Sequence, residues 1–163
     1  MKKYFPFALL AVFPALISCT ENEEPVSPLV GTWENRVFVD SLDVWFVETL
    51  EIKNDTLFDN FQTVRDTEDG PDLGYRFFSE AKYSFEGNIF SFYASSDFYM
   101  YGIADSRPLF MQKSKLGPVM VERISESAEL TLSSSFKKMD YQYICPEVFQ
   151  EYCPDTKRFV KVD

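Results

Sequence analysis

The sequence predicts a single all-β domain of about 8–10 antiparallel strands, and three observations carry that expectation. From Leu29 onward apolar and polar residues alternate with a period of two, the pattern of a half-buried strand. Turn residues interrupt the alternation roughly every ten positions. No window holds an apolar stripe at helical spacing for longer than two turns. The chain has 163 residues, enough for one domain with a real core and too few for two ordinary ones. Aromatic residues make up 17% of it, far above what a disordered chain carries.

The N-terminus precedes the strand pattern. Met1-Lys2-Lys3 is a positive start, and Tyr4 to Ile17 follows without a charge, broken by Pro6 and Pro14. A spanning helix takes about 20 apolar residues, so this stretch suits a secretory signal instead. It ends in Leu16-Ile17-Ser18-Cys19, which resembles the lipobox of bacterial lipoproteins. That resemblance implies a signal peptide over 1–18 and a lipidated Cys19 as the first mature residue. Each buried acyl methylene contributes about 0.8 kcal/mol, so several chains make a stable anchor. Residues 19–28 are acidic and closed by Pro25 and Pro28, a flexible tether that spans at most about 35 Å. An acidic cluster directly after the lipid cysteine resembles the export signal that some Gram-negative bacteria use for surface lipoproteins. The expected location is the outer membrane, with its periplasmic and cell-surface faces both open. Loss of Lys2 and Lys3 takes the formal charge from -10 to -12. Such a surface repels anionic headgroups, so the expected attachment to the membrane is covalent.

Residues 29–163 form the expected domain. Alternation places strands at 31–39, 43–53, 56–64, 77–85, 89–94, 97–104, 108–114, 118–125, 128–134, 137–145 and 157–162. In 77–85 one face reads Phe77, Ser79, Ala81, Tyr83, Phe85, and the other Phe78, Glu80, Lys82, Ser84. Gly87-Asn88 is a two-residue hairpin turn of the glycine-first kind. Asn54-Asp55, Asp105 to Pro108 and Lys115 to Pro118 supply further turns. Short connections read as a meander, which either closes into a barrel or folds into a two-sheet sandwich.

Leu29-Val30-Gly31-Thr32-Trp33-Glu34 opens the first strand and resembles the Gly-x-Trp opening of lipocalins and their calycin relatives. Lipobox, short tether and this motif together are similar to bacterial lipocalin-like lipoproteins. The resemblance implies one antiparallel meander β-barrel, closed at one end by Gly31 and Trp33. It also implies a basic side chain from a late strand over Trp33, with Arg158 and Arg123 as the candidates.

Several function classes drop out. The chain has no His, which removes Ser-His-Asp and Cys-His nucleophiles and imidazole acid/base chemistry. Its acidic balance argues against nucleic acid as a partner. Cys145 and Cys153 are an even pair in an exported chain and predict a disulfide. Closing that loop contributes about 2.6 kcal/mol in the chain-entropy model. Zinc lacks its ligand set, and the acidic loop Asp66 to Asp72 misses the calcium-loop spacing, so no metal is expected. No carboxylate pair stands out for catalysis, so neither an enzyme nor a cofactor is expected.

Aromatics in the 77–101 block either fill the barrel or meet a ligand. Trp45, Phe85, Phe92, Tyr99 and Tyr101 are the candidate ligand contacts, and Trp45 shares its alternation with Glu51 and Lys53, which turns it outward. The expected function is a lipid-anchored, non-catalytic envelope protein that binds a small apolar ligand inside the barrel. The alternative is a surface interaction module with a filled barrel, meeting a protein or glycan through exposed aromatics. Cavity volume separates them, since a ligand pocket takes about 300 Å³ or more with a mostly apolar lining.

Overall fold

A computed structural model describes residues 27–99, 108–119, 125–147, 151 and 153–162. The strands are β1 (Gly31–Val39), β2 (Val44–Ile52), β3 (Leu57–Arg65), β4 (Gly74–Glu86), β5 (Ile89–Tyr99), β6 (Gly117–Val119), β7 (Ser125–Leu132), β8 (Lys138–Tyr143) and β9 (Lys157–Lys161). Neighbours run β1 to β5 in order, then β7, β8, β9 and back to β1. All of these pairings are antiparallel, so eight strands close into a barrel and leave no long open edge. The closure that excludes a sandwich is the pairing of Trp33 with Lys161 and of Glu34 with Val160. The short β6 pairs with the end of β5, in line with β7.

Two expected strands need correction. The segments 89–94 and 97–104 are one strand as far as Tyr99, carrying a bulge opposite Glu80 and Ala81; residues 100–107 lie outside the described residues. The segment 108–114 is no strand. It meets β4 at a single bridge, Tyr75 with Met111, and then enters a 3-10 turn at Lys113–Lys115. Its Leu109-Phe110-Met111 run covers the start of β4 without extending the sheet. Gly74 permits this, because a Cβ there would stand 2.7 Å from the Phe110 ring and 2.8 Å from the Met111 carbonyl oxygen. The expected strand 118–125 resolves into β6 and the start of β7, and residues 120–124 lie outside the described residues.

The inward positions follow from the register. Trp33 stands opposite Leu50, Leu50 opposite Asn60, and Ile52 opposite Phe58, which faces Ala81. On the far wall Phe90 faces Ala128, Leu130 faces Tyr141 and Met139 faces Phe159. These side chains pack one end of the barrel solid. Phe58 meets Tyr83, Phe90 and Phe92 edge-on at centroid distances of 5.8, 5.3 and 5.2 Å, a geometry that adds to plain burial.

The chain enters at this closed end. Leu29 is fully buried there, and the Trp33 indole Nε1 donates to its carbonyl at 2.7 Å. Gly31 begins β1 with φ at 130°, a region that side chains other than glycine rarely adopt. The basic group over Trp33 is Lys161, whose Nζ lies 5.3 Å from the ring and donates to the Val30 carbonyl at 2.5 Å. Arg158, one residue out of phase, is exposed and lies 3.6 Å from Asp140 on the outer wall. Arg123 lies outside the described residues.

Candidate functional site

Toward the opposite end the inward positions turn polar. Asn35 on β1 faces Glu48 on β2, Glu48 faces Gln62 on β3, and Gln62 faces Phe77 on β4. On the other side of β1, Lys157 on its neighbour β9 is paired with Tyr141 on β8. An open cup of about 450 Å³ sits here, lined by Asn35, Val37, Phe46, Glu48, Gln62 and residues 154–157.

One wall is an ion pair. Lys157 Nζ donates to Glu48 at 2.8 Å and to the Tyr143 hydroxyl at 2.7 Å. Burial opposes the charge on Lys157, but Glu48 and then Tyr143 outweigh it and hold its pKa above the ordinary lysine value. Burial also pushes the Tyr143 hydroxyl upward. Deeper in, Glu126 faces Phe92 and accepts the Tyr141 hydroxyl at 3.2 Å. Burial raises the pKa of Glu126 against that bond.

Arg76 occupies a bulge in β4, where the register shifts between Gln62 and Thr63 of β3. The extra residue turns the guanidinium to the inner side. Nη1 donates to Gln62 Oε1 at 2.7 Å, and the guanidinium carbon lies 3.9 Å from the Phe46 centroid. Arg76 Nε is buried without a hydrogen-bond partner, and the same holds for Asn60 Oδ1. Among the described residues, no carboxylate forms an ion pair with Arg76. Burial accordingly pulls its pKa below the ordinary arginine value.

The rim of the cup is held by the connection from β8 to β9. Cys145 and Cys153 are disulfide-bonded with their Cα atoms 5.8 Å apart, and Pro154, Asp155 and Thr156 follow directly along the lining. On the outer wall, Trp45 is half-buried with its ring 5.4 Å from that of exposed Phe38. Nearby, Glu34 accepts from Arg65 at 2.7 Å and from Arg36 at 2.8 Å. Asp72 pairs with Arg65 and Asp69 with Arg36, so these carboxylates of the acidic loop are engaged by cations of the barrel itself.

The aromatic candidates do not form one site. Phe92 packs inside against Phe58, and Phe85 packs on the core. Tyr99 is exposed and stacks on Phe77 at 5.7 Å. Trp45 is on the outside, while Tyr101 and Cys19 lie outside the described residues. The cup residues Asn35, Glu48, Gln62 and Lys157, and Arg76 against their wall, are not singled out by the sequence. For four of them a signal existed, a polar residue at core parity on its strand; Arg76 had none. In chemical terms the cup offers hydrogen-bond donors and one neutralised ion pair, and against its Gln62 and Phe46 wall lies a guanidinium that is unpaired among the described residues. No family model, no curated protein and no solved structure matches the chain significantly.

Proposed function

We propose that the chain is a lipid-anchored, non-catalytic binding protein of the bacterial envelope that takes a small molecule into the open end of its barrel. The observation that carries this reading is the cup of about 450 Å³, which falls within the size of small-molecule pockets. The apolar half of the barrel packs its own side chains, and the space opens where polar and charged groups line the wall. The ligand is therefore amphipathic: an apolar body against Val37 and Phe46, and a polar group toward Gln62, Glu48 and Lys157. The lipobox and the Gly-x-Trp opening, with their resemblance to lipocalin-like lipoproteins, support the anchor and the outer membrane.

A second reading has its own observation, the Phe38 and Trp45 ring pair on the outer wall. There the barrel is scaffold, and a protein or glycan meets the aromatics. Native mass spectrometry of the mature exported chain separates the two. A reproducible adduct of a few hundred daltons, lost in a Gln62→Trp variant whose indole fills the cup, is the expected result. A clean apo mass, with capture of a partner that depends on Trp45, moves the function to the outer wall.

A further inference from the structure

Against the wall of the cup, in contact with two of its lining residues, stands a cation that has no ion-pair partner among the described residues. Arg76 is carried inward by a bulge, stacks on Phe46 and spends one N–H on Gln62, and both of these residues line the cup. Its Nε is buried and bonded to nothing. An unsatisfied donor on a shielded charge is costly to keep, and a native barrel keeps one where something else completes it.

Asp155 lines the rim of the cup but is exposed to solvent and makes no ion pair with Arg76, and the other acids facing the same interior are engaged elsewhere. Glu48 of β2 is taken by Lys157 of β9. Glu126 of β7 accepts the Tyr141 hydroxyl from β8. Asp97 of β5 accepts the Ser79 hydroxyl from β4 at 2.5 Å. A guanidinium presents its donors as a planar fork that fits a carboxylate through two parallel bonds. One unpaired positive charge beside a neutral Lys157–Glu48 pair calls for one negative charge.

We infer that Arg76, with Gln62 and Phe46, is the anion-binding group of this cup, and that the ligand is a small organic monocarboxylate. The inference rests on the binding reading above and names its ligand class.

Three probes on one body test it: 3-phenylpropionate, 3-phenylpropionamide and 3-phenylpropylamine, titrated into the mature disulfide-bonded chain. The readout is the NMR shift of the Arg76 Nε–H and the Gln62 side-chain amide, up to about 10 mM probe, where fragment-strength binding is visible. The carboxylate is expected to bind at least about 10-fold more tightly than the other two. Arg76→Gln abolishes that preference, and Arg76→Lys retains part of it because the charge stays and the fork goes. Equal binding of the amide or amine in the cup, or a preference that survives Arg76→Gln, overturns the monocarboxylate and leaves the cup standing. Silence from all three probes overturns both. Unliganded stability supplies a separate check. Arg76→Met removes an uncompensated interior charge, so the melting temperature is expected to hold or rise. A loss of several degrees, or failure to fold, makes Arg76 a structural cation and overturns the inference.

Discussion

A buried acid and a half-buried one, one on each face of the wall, respond to pH with opposite signs. Glu34 is 8% exposed on the outer face, bonded to Arg65 and Arg36. Burial alone would raise its pKa, but Arg65 and then Arg36 outweigh it and hold the carboxyl below its ordinary value. Its stabilisation is therefore present above the unfolded carboxyl pKa and is lost as pH falls through the folded one. Glu126 lies inside, and burial raises its pKa despite the Tyr141 bond. The folded state there disfavours the ionised form, so this group costs stability as pH rises past the unfolded pKa toward the folded one. Denaturant titrations at two pH values check the pair. At pH 7, Glu34→Gln is expected to lose about 2 kcal/mol, a loss that shrinks as the pH is lowered. Glu126→Gln is expected to gain stability at pH 7 and to match the wild type near about pH 3, where both forms are protonated. A loss from Glu126→Gln at pH 7 would show that its bond to Tyr141 outweighs the cost of burial.

The connection between β8 and β9 is the element that joins stability to the rim of the cup. A Cys145→Ser, Cys153→Ser double variant is expected to lose about 2.6 kcal/mol of unfolding free energy with an unchanged far-UV spectrum, because the strand ladders do not depend on this loop. A collapse of the spectrum would show that the loop nucleates closure. The disulfide was legible in the sequence from the parity of the cysteines, and most strands from alternation. The two faces of β4 from Phe77 to Phe85 stand as the residues read, with Ser79 opposite Asn60 and Ala81 opposite Phe58. What failed is what one residue of register decides. Lys161 and Arg158 are both basic and three positions apart, yet the parity of β9 puts the first over Trp33 and the second in solvent. Arg76 is the stronger case: alternation assigns it to the outer face with Phe78 and Glu80, and only the bulge opposite Gln62 and Thr63 brings it inside. A bulge adds a residue without leaving a mark in hydropathy, so this side chain against the cup wall was out of reach of the pattern. Segment 108–114 failed for another reason, since apolar alternation also describes a strap lying on a sheet edge.

At the scale of the whole molecule, the ends of the barrel have different neighbours. Residue 27, the turns at 53–56, 87–88 and 133–137, and residue 162 after β9 gather at the closed end. There Leu29 is buried and Lys161 donates to the Pro28 and Val30 carbonyls. The loops at 40–43 and 66–73, with the described residues 144–147 and 153–156, surround the mouth. A lipid on Cys19 would thus tether the barrel by its closed end through a segment no longer than about 35 Å, with the cup turned away from the bilayer. Single thiols report this orientation, because Cys145 and Cys153 are spent in the disulfide. Phe136 at the closed end and Leu42 at the mouth are 51% and 47% exposed, so each accepts a Cys substitution and a fluorophore. In vesicles carrying a headgroup nitroxide, the label of Phe136→Cys is expected to be quenched more strongly than that of Leu42→Cys. Adding Cys19→Ser is expected to abolish quenching at both and to move the protein to the soluble fraction. Equal quenching would mean that the tether does not orient the barrel, and stronger quenching at position 42 would turn the mouth toward the membrane. Quenching that persists in the Cys19→Ser background would sink the lipid anchor and leave the barrel held by its own surface.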